Sequence, residues 1–243
     1  MGDPRITVVE DADRLAVVAA DVVCGIVAEE PTASVVVATG RTPEGLYAEL
    51  AGRRRNGFDT ARITPIQLDE YLGVDRGDRR SLLGWMRRSF LEPLGIGDER
   101  VLTLPIDGEL DGACEAFDRE LDIRGGIDLA ILGLGPNGHL GFNEPPSGPD
   151  SSTRVVELSR QTIEANARYW GDVQDVPRLA VTIGLRQLLS ARTILLLVSG
   201  AAKRGIVHEV LDGAITPDVP ASYVQRADGD VVVVVDRAAW GGP

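Results

Sequence analysis

Short apolar runs rich in Val, Ile and Leu recur along the whole chain, at Ile6–Val9, Ser34–Ala38, Ile63–Leu68, Val101–Leu104, Leu129–Leu134, Leu179–Ile183, Thr193–Val198 and Val231–Val235. Helix-period segments separate most of them, which is the pattern of βαβ units. Several runs lack polar alternation, as strands do when helices cover both faces of a parallel sheet. The expected fold class is therefore α/β: a Rossmann-like, doubly wound, mostly parallel sheet with helices on both faces. The length of 243 residues suits a single domain over residues 1–243.

The composition excludes several classes of function. The longest runs of Val, Ile and Leu alone, Ile194–Val198 and Val231–Val235, have five residues each, against the roughly 20 apolar residues that cross a bilayer. No membrane partner is expected. The start, Met1-Gly2-Asp3-Pro4-Arg5, lacks the basic and apolar stretches of a signal peptide, so a cytoplasmic location is expected. A net charge of −12 speaks against a nucleic-acid partner, because phosphate backbones are held by broad basic patches. Cys24 and Cys114 have no CxxC or metal-ligand spacing and sit in helical pattern, so they read as buried thiols and not as a disulfide. The run Arg53-Arg54-Arg55 reads as a solvated face.

In an open parallel sheet, ligands bind beyond the carboxyl ends of the strands. The loops there hold most of the unusual residues. Gly133-Leu134-Gly135-Pro136-Asn137-Gly138-His139-Leu140-Gly141-Phe142-Asn143-Glu144-Pro145 follows one apolar run. Its glycines permit sharp turns and close approach of backbone to ligand, His139 can exchange a proton near neutral pH, and Glu144 can orient it. Leu68-Asp69-Glu70-Tyr71 ends another run, and Asp69 or Glu70 there is a candidate general base. Thr39-Gly40-Arg41-Thr42-Pro43 leads from strand into helix start and offers uncapped amides to an anion. Ser199-Gly200-Ala201-Ala202-Lys203 repeats the arrangement and adds an ammonium, while Arg168, in the helix-like segment Gln161–Tyr169, can supply a bidentate clamp. Neither loop is a Walker or dinucleotide-binding pattern, so a phosphorylated small molecule is the expected ligand.

Taken together, Thr39–Pro43, Leu68–Gly73, Gly133–Pro145, Ser199–Lys203 and Ala221–Gln225 resemble the glucosamine-6-phosphate deaminase (isomerase) family along essentially the whole chain. The most specific element is the N-G-H-x-G-F-N-E-P string at Asn137–Pro145, with D-E-Y at Asp69–Tyr71 as its companion. The resemblance implies conversion of D-glucosamine 6-phosphate to fructose 6-phosphate and ammonia, with no organic cofactor and no metal. It implies that Asp69 moves a proton between C2 and C1, that His139 opens the sugar ring, and that Glu144 pairs with this histidine and raises its pKa. Asn137 falls where some members carry a third acid. Substrate and phosphate contacts map to Thr39, Gly40, Arg41, Thr42, Gly135, Gly138, Arg168 and Lys203. Arg41, Gln67, Leu82 and Arg226-Ala227 depart from the family pattern and leave open a related amino-sugar phosphate such as galactosamine 6-phosphate. The chain ends at Pro243 without the extension of larger, allosterically regulated members, so no allosteric activation is expected. A 6-phosphogluconolactonase-like hydrolase is the alternative reading, followed by a sugar-phosphate-sensing domain. Monomer and homo-oligomer stay equally open.

Overall fold

A computed structural model describes residues 3–241. Met1, Gly2, Gly242 and Pro243, on which part of the reading of both chain ends falls, lie outside the described residues. The first half runs β1 (Arg5–Val9), α1 (Ala12–Glu29), β2 (Ser34–Val37), α2 (Arg41–Arg55), β3 (Thr64–Gln67), β4 (Asp69–Tyr71), α3 (Leu82–Met86), α4 (Glu92–Leu94) and α5 (Leu110–Ile123). The second half runs β5 (Leu129–Gly133), β6 (Arg154–Glu157), α6 (Arg160–Trp170), β7 (Leu179–Thr182), α7 (Leu185–Leu189), β8 (Thr193–Val198), α8 (Arg204–Asp212), β9 (Asp230–Asp236) and α9 (Arg237–Trp240).

Six strands pair in the order β1-β9-β8-β5-β2-β3, all parallel. Alternate side chains of each strand feed two separate cores. Ile194, Leu196 and Val198 of β8 join Leu121, Leu188 and Val207 on one face. Leu195 and Leu197 join Leu15, Leu46, Tyr47 and Phe90 on the other. The continuous apolar runs thus mark strands covered on both faces, as expected. From β2 the chain winds outward to β3, then returns to β5 on the other side of β2 and winds through β8 and β9 toward β1. The winding direction reverses between β2 and β5, which places the ligand crevice at their carboxyl ends.

Three features differ from the sequence reading. Val101–Leu104 forms only a bridge between Leu102 and Ile66. Pro65 has no N–H to lengthen the pairing on one side, and on the other the Leu104 N–H donates to the Gln67 side chain. Leu179–Ile183 supplies β7, which is not in the parallel sheet but at the centre of a small antiparallel sheet, β4-β7-β6. Its partners are short and charged, and their sequences carry no strand signal. Of the run Arg53-Arg54-Arg55, Arg54 and Arg55 are exposed as expected, but the half-buried Arg53 reaches from α2 to α1, meeting Asp21 at 2.7 Å and Glu49 at 2.9 Å and donating to the Val17 carbonyl. Cys24 and Cys114 are free thiols, Cys114 buried and Cys24 half-buried. Among the described residues, no helix is long and apolar enough to cross a membrane.

Candidate active site

A cavity of about 420 Å³ opens at the reversal point between β2 and β5. Thr39–Pro43, Asp69, Gly135, His139, Arg168 and Lys203 all line it, so most of the sequence-derived candidates converge there.

The β2–α2 turn is built for an anion. Gly40 has φ of +100°, a conformation that favours glycine, and it precedes α2 without any side chain capping the first helical amides. The Tyr47 hydroxyl donates to the Ala38 carbonyl at 2.8 Å and fixes the end of β2. Free N–H groups and the positive end of α2 therefore face the cavity. The second turn differs from expectation. The Ser199 hydroxyl and the Gly200 N–H both donate to the Asp236 carboxylate, so this loop offers the half-buried Lys203 ammonium but not the Gly200 amide.

Asp69 begins β4 and is buried, with Oδ1 lacking any hydrogen-bond partner. Burial, and secondly the charge of Glu70, push its carboxyl up to about 8. At neutral pH most of the unliganded protein therefore carries Asp69 protonated, and an incoming cation would favour its ionisation.

Gly135 and His139 close one turn, with the Gly135 N–H donating to the His139 carbonyl at 3.0 Å. The imidazole lies directly over the Gly135 α-carbon: a β-carbon there would sit 2.2 Å from His139 Cδ2. His139 Nδ1 is buried without a partner. Glu144 does not hydrogen-bond to it. The Glu144 carboxylate instead accepts from the Ser159 N–H at 2.7 Å, from the Ser159 hydroxyl, and from the Thr162 hydroxyl at 2.6 Å, which ties it to the start of α6. Burial lowers the His139 pKa, and the opposing Glu144 charge only partly offsets it. The expectation of a raised histidine pKa is therefore corrected: desolvation outweighs an anion held at a distance by other donors, and the ring is neutral.

Asn137 and Gly138 do not line the cavity. Asn137 Oδ1 is buried and unpartnered. Gly138 has φ of +77°, and a β-carbon there would sit 2.6 Å from Val219 Cγ1, so it serves the turn and the packing behind it. Conversely, sequence reasoning missed Arg79, Arg80, Arg88, Tyr71, Trp85 and Trp170, all of which line the cavity. Arg80 stacks on Trp170 with its guanidinium carbon 4.7 Å from the ring centroid, and Tyr71 meets the same ring edge-on. Arg168 lies over Tyr169 and donates to its hydroxyl at 3.0 Å. The wall carries the cations Arg41, Arg79, Arg80, Arg88, Arg168 and Lys203 against Asp69 as its only acid. Among the described residues no group of His, Cys, Asp or Glu side chains is arranged to hold a metal ion.

The profile of one family, described as glucosamine-6-phosphate isomerases/6-phosphogluconolactonase, matches residues 9–233. The chain belongs to this family. It is 40% identical over 234 residues to a glucosamine-6-phosphate deaminase of Bacillus velezensis, covering 95% of this chain and 96% of the relative. It is 37% identical to a glucosamine-6-phosphate deaminase of Halalkalibacterium halodurans, covering 93% of both chains. A solved monomeric glucosamine-6-phosphate deaminase superposes with a TM-score of 0.92 at 35% identity, over 97% of this chain and 98% of that one. The 6-phosphogluconolactonase of Leishmania guyanensis shares the fold, with a TM-score of 0.76 at 17% identity over 99% of each chain.

Proposed function

We propose that this family member is a glucosamine-6-phosphate deaminase, converting D-glucosamine 6-phosphate and water to fructose 6-phosphate and ammonia. The observation that carries this reading is the meeting of the buried Asp69 carboxyl, the His139 imidazole and an uncapped helix start with several cations in one cavity at the sheet's reversal point. The deaminases that match nearly end to end support the same activity.

The phosphate is held by the Gly40–Thr42 amides, Lys203 and Arg168. His139, neutral and holding one proton on its two nitrogens, takes the C1 hydroxyl proton and supplies one to the ring oxygen, which opens the pyranose. The substrate ammonium enters beside Asp69 and favours its carboxylate. That carboxylate removes the C2 proton to give an enolamine and returns it to C1, while a proton of the substrate ammonium passes to the C1 oxygen, leaving an imine at C2 that water hydrolyses to the ketone with release of ammonia. Glu144 supplies negative charge near the imidazole as it becomes transiently positive. The same reading makes the ligand a small sugar phosphate in the cytoplasm, its support being the anion site and the metabolic role of the named relatives.

Ammonia and ketose-phosphate release from glucosamine 6-phosphate tests the reading, with galactosamine 6-phosphate and 6-phosphogluconolactone assayed in parallel. Turnover of the first compound is expected. Turnover of the second or third alone would move the assignment to an epimer-specific deaminase or a lactonase.

Two further outcomes are expected. Because the base must be ionised, kcat/KM climbs about tenfold per pH unit below the Asp69 pKa and levels near pH 8, whereas the limb in kcat lies lower because the bound ammonium favours the carboxylate. Steady-state rates from pH 6 to 9 read both limbs. Lys203→Ala raises KM about tenfold or more with a smaller change in kcat, since its charge meets the phosphate in ground and transition states alike. Initial rates at varied substrate separate the two constants.

A further inference from the structure

Asp69 and Glu70 are consecutive in β4, so their side chains leave opposite faces of the strand. Asp69 lines the cavity and Glu70 does not. Glu70 is nonetheless 1% exposed, and no cation pairs with it among the described residues.

Four donors meet its carboxylate. Oε1 accepts from the N–H groups of Tyr71 and Leu82, each at 2.9 Å. Oε2 accepts from Gln67 Nε2 at 2.8 Å and from the Leu83 N–H at 2.9 Å. Leu82 and Leu83 open α3, whose N-cap is Ser81. One side chain therefore joins the strand of the candidate base to the helix start behind Arg79, Arg80, Leu82 and Trp85, which form the adjoining wall of the cavity. Ser81 already caps this helix start, its hydroxyl accepting from the Gly84 N–H at 2.9 Å, so the helix does not need Glu70 as its cap. A buried carboxylate adjacent to the base costs more than such a cap.

We propose that Glu70 is a positioning residue: its buried carboxylate, fixed by the start of α3, holds the cavity wall in register with Asp69 and places a negative charge on the opposite face of the same strand. This rests on Asp69 being the base. Glu70 is the charged neighbour that acts on Asp69, after burial itself. On β4 the other titratable neighbour is Tyr71, whose hydroxyl burial keeps protonated. From β7, Thr182 faces Asp69 and Val181 faces Glu70, neither charged. From β6, Arg154 turns to Asn143 and Ser147. Across the cavity lie His139, Lys203 and Arg168, with Arg41 on α2 and Arg79, Arg80 and Arg88 on the α3 side. The lysine and the arginines among these favour the Asp69 anion, so they act against Glu70 and do not account for the high proton affinity, while His139 is neutral.

The test compares Glu70→Gln, Glu70→Asp and Asp69→Asn with the parent protein, by kcat/KM from pH 6 to 9 at a temperature where circular dichroism shows each to be folded. Glu70→Gln moves the acidic limb down by about one pH unit, because a like charge is gone. Glu70→Asp keeps the charge but withdraws it from the Leu82 and Leu83 amides, so the limb stays while kcat/KM falls about tenfold as the wall loses register. An unmoved limb in folded Glu70→Gln overturns the proposal. If Glu70→Gln does not fold, Glu70→Asp decides: parent-like kcat/KM with only a lower melting temperature reduces Glu70 to a structural cap and overturns it. Activity surviving in Asp69→Asn would instead overturn the base assignment, which keeps the two failures apart.

Discussion

Asp69→Asn is expected to lower turnover by about 10²-fold or more while making the protein more resistant to heat at pH 8. The two effects have one cause. The folded protein holds the Asp69 carboxyl near 8, far above the ordinary carboxylate value of 3.8. In that pH range the unfolded chain has released a proton that the folded chain still binds, so folding loses stability steadily as pH rises from about 4 to about 8. Asparagine keeps the shape, has no proton to lose and removes this slope. Melting temperatures of the two proteins therefore converge near pH 4 and separate toward pH 8, with the variant higher. A parent-like turnover would dismiss Asp69 as the base, and a variant less stable at pH 8 would dismiss the burial cost assigned to it.

Gly135→Ala is expected to cost about 10²-fold in kcat without altering any titratable group. The new methyl meets the imidazole: its β-carbon would lie 2.2 Å from His139 Cδ2 and 2.3 Å from Nε2. The ring must swing aside, because the methyl is part of the backbone turn and cannot yield. Gly135 does not have a positive φ, so backbone strain is not the source of the effect. Phosphate binding at the α2 start and Lys203 is untouched, so competitive inhibition by inorganic phosphate stays near the parent value. Equal losses in both measurements would place the damage in the fold as a whole.

Much of this architecture was legible in the sequence because it depends on local rules. Val35–Val37, Leu129–Leu132 and Ile194–Val198 alternate between two buried faces, and such strands must be continuously apolar. The Gly-rich loop around His139 and the Gly-to-helix step at Gly40 were legible for a similar reason, since backbone that turns sharply toward a ligand needs particular residues. What escaped depends on tertiary pairing. β4 is Asp-Glu-Tyr and β6 is Arg-Val-Val-Glu, and each is a strand only because β7 lies between them. Arg79, Arg80 and Trp170 reach the cavity because Glu70 fixes the start of α3 and because Tyr71 packs on Trp170. No spacing rule announces such contacts. The Ser199–Lys203 loop was legible only in part: its local pattern promises free amides, but the Gly200 N–H is taken by Asp236, at the end of β9 beside it.

The cavity wall gathers six cations, while the chain has 37 acidic residues against 25 lysines and arginines. With a net charge of −12 over the whole chain, the surface away from the cavity carries an excess of negative charge, which disfavours anions there relative to the cavity opening. Low-dielectric walls concentrate the field at that opening, so encounter is biased before any hydrogen bond forms. Discrimination against unphosphorylated sugars starts in the diffusive approach, at the level of capture rate, and ionic strength tunes it through screening over about 8–10 Å.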